Sequence, residues 1–128
     1  MHFGQKPGQG QRGRRNHTKQ QQLADLSPQR GTEPGKTRPV VIVQTDLLNS
    51  IHPSTIICPL TTDIQKNVNI LRVHVKLSRG SLKKDSDILV DQIRAIDNRR
   101  LIKKLGVISA KQRELLTANL SIVLDIVA

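Results

Sequence analysis

The chain has 128 residues and a formal net charge of +11, long enough for one small domain. It holds a single cysteine, and Phe3 is its only aromatic residue. These facts exclude an internal disulfide and a base-stacking platform of the RRM or OB kind, and no apolar run reaches membrane-spanning length; the charge favours polyanions, nucleic acid first, as partners.

Residues 1–22 contain six Gln, four Gly, five Lys/Arg and no acid, with Met1 and Phe3 their only large apolar side chains. Such a stretch cannot bury enough surface to offset its ordering entropy. It reads as a disordered basic arm, and it lacks the apolar segment of a secretory signal. A lone thiol gives no sign of an oxidising compartment, so the cytoplasm is the expected location. Residues 23–128 read as one folded domain, itself basic, with clusters at Lys83-Lys84, Arg99-Arg100 and Lys103-Lys104.

Leu23-Ala24-Asp25-Leu26 is a short strand stopped by Ser27-Pro28, and residues 27–37 form a loop rich in Gly, Pro and charge. Thr37 to Gln44 carries the β-branched run Val40-Val41-Ile42-Val43 and is the strongest strand. Asp46 to Ser50 reads as a short turn or helical piece, and Thr55 to Leu60 as a second clear strand. Leu71 to Leu77 alternates strictly, which predicts a strand with one face on the core. Arg79-Gly80-Ser81 makes a turn; Ser86–Val90 and Gln92–Ile96 are two more short strands. Arg99 to Leu105 reads as a short helix stopped by Gly106. A long helix opens at Ser109, where Gln112 completes a capping box. Leu116, Leu120, Val123 and Val127 form its apolar stripe, widened by Leu115, Ile122 and Ile126. Short strands followed by one terminal helix predict a mainly β (α+β) fold, a small antiparallel β-barrel with the helix packed on it.

Gly35-Lys36-Thr37 is not the end of a P-loop. The first Gly of that motif would fall on Arg30, and a strand follows where the motif needs a helix. The His residues are scattered, no acids cluster at ligand spacing, and no metal or cofactor is expected. Cys58 reads as a buried strand thiol. His74, between Val73 and Val75, reads as a surface histidine on the polar face of its strand. What remains is the polar loop from Arg30, leading into a rigid strand with Arg38 at its mouth. An always-charged, bidentate donor on a rigid element suits a phosphate. Thr61 ends the next strong strand, and if the two strands are neighbours both residues face one site.

Three ordered stretches carry a resemblance. "LADLSPQRGTEPGKTRPVVIVQTDLLN" (23–49), with its Gly-x-Glu-x-Gly-x-x-Arg-Pro-Val-Val pattern, resembles the opening of the MazF/PemK family of toxin endoribonucleases. "STIICPLTT" (54–62) and "VDQIRAIDNRRL" (90–101) resemble its later strands, and the likeness covers about residues 23–128. The resemblance implies an SH3-like barrel and a homodimer. It implies metal-independent cleavage of single-stranded RNA at a short preferred sequence, by attack of the 2′-OH on the adjacent phosphorus. It also implies an acidic antitoxin peptide as partner, and contact with operator DNA only through the antitoxin complex. Carried over by position, the catalytic residues are Arg38, Thr61 and Glu33, and the RNA-binding residues are Thr32, Lys36 and Gln92. Arg38 is suited to neutralising the phosphorane, Thr61 to donating one hydrogen bond to a phosphate oxygen. Glu33 either takes the 2′-OH proton or positions Arg38 or Lys36.

One departure stands out. The family's first strand begins with a Gly-Asp-Ile/Val-aromatic segment, where this chain has Lys19-Gln20-Gln21-Gln22. Residues 1–22 therefore read as foreign to the family, as a shifted frame or a misassigned start would make them. A Gln at an inward barrel position predicts an unsatisfied amide and a weakened fold. The alternative function is thus a catalytically impaired relative that binds antitoxin or nucleic acid without cleavage. A gyrase poison of the CcdB type shares the barrel and dimer but does not account for the Arg-Pro strand with Thr61.

Overall fold

The computed structural model describes residues 20–27, 31, 36–48, 51–65, 70–75 and 85–126. Within them, seven strands precede one helix: β1 (Gln20–Asp25), β2 (Thr37–Ile42), β3 (Ser54–Thr61), β4 (Arg72–Val75), β5 (Ser86–Leu89), β6 (Arg94–Asp97), β7 (Leu101–Val107) and α1 (Ala110–Val123). The pairings are antiparallel, in the order β4-β5-β3-β2-β1-β7, with β6 also against β3.

β3 organises the sheet. One edge pairs Ile57, Cys58 and Pro59 with Ile42, Val41 and Val40 of β2. On the other edge its first half pairs with β6 and its last two residues with β5. Alternation sends successive side chains to opposite faces. Val41, Cys58 and Leu60 therefore enter a core with Val73, Ile88 and Leu116, under the helix. Val40, Ile42 and Ile57 enter a second core with Ala24, Leu26 and Ile96. A strand buried on both faces reads as a continuous apolar run, which is why Val40–Ile42 is so legible.

The sheet is mainly antiparallel with one C-terminal helix, as expected, but hydrogen bonds do not close it into a ring among the described residues. β6 and β7 are joined instead by a 3₁₀ turn, Asn98–Arg100. Chain continuity completes the path from β3 through β6 and β7 to β1. Asp97 caps this turn by accepting from the Arg99 backbone N–H at 2.8 Å. The Arg99 guanidinium, and after it this backbone bond, hold the exposed Asp97 carboxyl down to about 2.

The capping box on α1 is present: Ser109 Oγ accepts from Gln112 N at 3.1 Å, and Gln112 Oε1 accepts from Ser109 N at 2.9 Å. Leu116 is the buried helix residue, with Leu120 and Val123 packed partly against the sheet. Leu115 and Ile122, and Ile126 just beyond the helix, do not widen that contact; they are 48%, 57% and 60% exposed. Val127 lies outside the described residues, as do residues 1–19 and the Arg79-Gly80-Ser81 turn.

Three further departures appear. The segment read as a helix over Arg99–Leu105 is a 3₁₀ turn followed by β7. Its apolar spacing fits a helix, but β1, distant in sequence, offers it a ladder, with two register shifts absorbing the bend. Gly106, at φ 151°, sits within this strand opposite Gln21 and does not cap a helix. β1 also takes in Gln20–Gln22, which composition assigns to the arm. Gln21 is 2% exposed there, and its Oε1 has no hydrogen-bond partner. Finally, the strand read over Gln92–Ile96 begins only at Arg94, because Val90–Gln92 is a 3₁₀ turn.

Candidate active site

The end of the sheet where β1 stops, β2 starts and β3 stops holds Lys36, Arg38 and Thr61 of the residues singled out in the sequence. Lys36 enters β2 with a left-handed backbone, φ 64°. This conformation is costly for a residue with a Cβ, and it is held from both sides. Lys36 N donates to Ser27 Oγ at 3.2 Å, and Lys36 O accepts from Leu26 N at 2.8 Å. Ser27 is itself fixed: Arg100 donates from one guanidinium nitrogen to Ser27 O at 2.6 Å and to Asp25 O at 3.0 Å. The approach to Arg38 is thereby anchored to the start of β7. An open depression of about 670 Å3, lined by Asp25, Ser27, Asp97, Arg99, Arg100 and Ile102, lies beside this anchor.

Arg38, half-buried, is the second residue of β2, and Thr61 is the last of β3. The ladder ends at Val40 opposite Pro59; the same count continued two residues along each strand sets Arg38 against Thr61. Residues opposite one another across a ladder project to the same face. Thr61 is in turn the Cα partner of Asp87 on β5, and Asp87 that of His74 on β4. Thr61, Asp87 and His74 thus form one cross-strand row over three strands, and the β2–β3 register, continued past its last pair, leads to Arg38 at the end of that row. The adjacent row, Leu60, Ile88 and Val73, faces the opposite way into the core.

The two proposed donors differ in character. Thr61 Oγ1 accepts from Asp63 N at 3.1 Å. The hydroxyl oxygen is occupied by the turn, which leaves the hydroxyl proton as the group to offer outward. Arg38 brings a permanent charge on a short, Pro-stiffened strand entrance.

Asp87, Arg72 and a bonded role for His74 were not read from the sequence. Asp87 is 2% exposed although charged. Its Oδ2 accepts from Arg72 and from Gln65 N, both at 3.2 Å, and its Oδ1 lies 3.1 Å from His74 Nδ1. The signal was present: a carboxylate interrupts a short run, Ser86 to Val90, that otherwise reads as core, while Arg72 and His74 share the polar face of β4. His74 is on that outer face, as expected, with its imidazole between Asp87 and Asp85.

Gln92 is in the turn between β5 and β6, beside the middle of β3 and away from the strand-end row. Thr32 and Glu33 lie outside the described residues. Cys58 is buried, and burial, with the nearby Asp91 charge second, pushes its thiol up to about 12. It is chemically quiet at neutral pH, as a structural thiol should be. Among the described residues no group of three or more His, Cys, Asp or Glu is placed to hold a metal ion, and no helix is long and apolar enough to cross a membrane.

Comparison with known proteins gives a consistent answer. The model of the PemK-like, MazF-like toxins of type II toxin–antitoxin systems matches residues 22–124. The chain is 44% identical over 90 residues to the endoribonuclease MazF of Staphylococcus saprophyticus, covering 70% of this chain and 75% of the relative. It is 44% identical over 87 residues to the MazF of Staphylococcus epidermidis, covering 68% and 72%. In three dimensions it is similar to the Mycobacterium tuberculosis toxin MazF-mt6, with a TM-score of 0.71 at 20% identity over 85% of this chain and 99% of that one. It is also similar to a mycobacterial endoribonuclease solved in complex with its cognate antitoxin, with a TM-score of 0.68 at 17% identity over 85% and 94%. With a family model spanning residues 22–124 and relatives at 44% identity, the chain is a member of the PemK/MazF family of toxins from type II toxin–antitoxin systems.

Proposed function

We propose that this chain is a toxin endoribonuclease that cleaves single-stranded RNA without a metal ion, at a site built on Arg38 and Thr61. What supports this reading is that β2 and β3 are neighbours, with Arg38 at the entrance of one and Thr61 at the end of the other, and that their register, continued past Val40 and Pro59, turns a guanidinium and a hydroxyl toward one face. The 2′-oxygen attacks the adjacent phosphorus as it loses its proton. The P–O5′ bond breaks, and the departing 5′-oxygen takes up a proton. The products are a 2′,3′-cyclic phosphate and a 5′-OH. Charge grows on the nonbridging oxygens in between, and fixed donors aimed at that charge lower the barrier. Arg38 supplies the positive charge, and Thr61 supplies one hydrogen bond. Glu33 is the candidate acceptor for the 2′-OH proton or the residue that orients Arg38 or Lys36. Lys36, Thr32 and Gln92 contact the RNA. In-line attack needs backbone freedom that an A-form duplex denies, hence a single-stranded substrate.

The same reading makes the chain a homodimer, which would cover the apolar side chains that α1 leaves in solvent, and a cytoplasmic protein silenced by an acidic antitoxin peptide. Contact with operator DNA runs through the antitoxin complex. Cleavage of a defined RNA pool in EDTA, with mapping of the new ends, tests the proposal. Arg38→Ala should lower the rate by on the order of 100-fold or more. RNA left intact by folded wild-type protein would favour the second reading, a relative that binds antitoxin or nucleic acid without cleaving. The unsatisfied Gln21 amide in the strand beside β2 is the observation that keeps that reading in view.

A further inference from the structure

We propose that Asp87 is a positioning residue for Thr61, acting through Arg72 and the turn that follows β3. This rests on the ribonuclease reading of Arg38 and Thr61. Thr61 is the final residue of its strand, so nothing in the ladder beyond it fixes where its hydroxyl points. The turn over residues 61–65 does so instead. Asp63 N donates to Thr61 Oγ1 at 3.1 Å, and Ile64 N donates to Thr62 O at 3.0 Å. The turn is then tied down at two more points. Arg72 donates to Asp63 O at 2.7 Å, and Gln65 N donates to Asp87 Oδ2 at 3.2 Å. Arg72 also bridges to that same Asp87 oxygen at 3.2 Å. Asp87 is thus the common anchor of the chain of bonds that ends on the Thr61 hydroxyl.

Stability is a poor reason for this arrangement. The Asp87 side chain is 3% exposed and that of Arg72 16%, so both charges have lost most of their water. Buried ion pairs of this kind are commonly no better than apolar side chains of the same size, and are often worse. An apolar residue beside Ile88 would be the stable choice. A carboxylate offers directional bonds to three groups at once, Gln65 N, Arg72 and His74, and Arg72 carries the tie on to the Asp63 carbonyl. Misplacing a reacting group by about 1 Å costs as much as 100-fold in rate, so a fixed turn is worth its desolvation.

The test is a double-mutant cycle on cleavage of a 5′-labelled single-stranded RNA, with kcat and KM measured separately. Asp87→Asn keeps the shape and an acceptor but loses the charge for Arg72. It should lower kcat by about 10–100-fold and leave KM within about 3-fold. In a Thr61→Val background, itself slow, the same substitution should change kcat by less than about 2-fold, because there is no hydroxyl left to position. Arg72→Gln should behave as Asp87→Asn does, and serves if Asp87→Asn does not fold. Amide exchange at Asp63 and Gln65 should accelerate in both variants. A folded Asp87→Asn protein with unchanged kcat, or with an equal loss in the Thr61→Val background, overturns the positioning role alone. No cleavage by the wild-type chain, or none that depends on Thr61, overturns the ribonuclease reading and the positioning role with it.

Discussion

Replacing Gln21 by Met should make the protein more stable. Gln21 lies in β1, between β2 and β7, with Val41 on one side and Gly106 on the other. It shares the face of Val41 and is 2% exposed, and its Oε1 accepts no hydrogen bond. A buried acceptor without a donor costs about 1–3 kcal/mol. Met has nearly the same length and shape, is unbranched, and fits the volume Gln21 already occupies without forcing the core apart. After allowing for whatever the Nε2 group contributes, a net gain of about 1–2 kcal/mol is expected. For a domain of this size each kcal/mol moves Tm by about 4–8 °C. The assay is thermal and urea unfolding of the two proteins at equal concentration. Gln22→Met is the control: Gln22 points to the other face, is half-buried, and donates to Gln20 Oε1 at 3.1 Å, so its replacement should gain nothing. A Gln21→Met protein that melts at or below the wild-type temperature, or no higher than Gln22→Met, would refute the reasoning.

Two other outcomes follow from the packing. Leu116→Ala should cost about 2–5 kcal/mol, since Leu116 is the buried residue of α1, whereas Thr117→Ala, at an exposed polar position of the same helix, should stay within about 0.5 kcal/mol; urea unfolding distinguishes them. Cys58 should resist alkylation at pH 8 until the protein unfolds, and its neutral burial should make stability fall as pH rises. The folded thiol titrates near 12 against an ordinary value of 9.0, so the unfolded chain loses its proton first and is favoured increasingly from about pH 9 up to about 12. Between pH 8 and pH 10 the unfolding midpoint should fall more in wild type than in Cys58→Val; an equal fall in both would show that this thiol is not the cause.

The parts of the fold legible in the sequence were those decided locally. The Val40–Ile42 run, the alternation around His74 and the Ser109/Gln112 capping box each state their structure within a few residues. β7 was misread because its identity as a strand depends on β1, which contributes the ladder from the far end of the chain. α1 shows the limit of periodicity: Leu115 and Leu116 both fit an apolar stripe, but only Leu116 meets the sheet. The candidate site divides the same way. Arg38 and Thr61 stood out as strand-end residues, whereas the linkage of Thr61 to Asp87 and His74 exists only once β5 lies between β3 and β4. No spacing rule encodes that.

The pairing of the first strand with the last has a consequence for how the protein is made. Ser27, which anchors the approach to Arg38, is itself held by Arg100, so the site's entrance is completed by residues synthesised late. Contacts so far apart in sequence form slowly and must wait for the chain to be finished. On a translating ribosome, β1 and β2 emerge long before β7 can join them. A nascent chain halted before Arg100 would therefore carry both Arg38 and Thr61 but not the anchor that fixes the approach to Arg38.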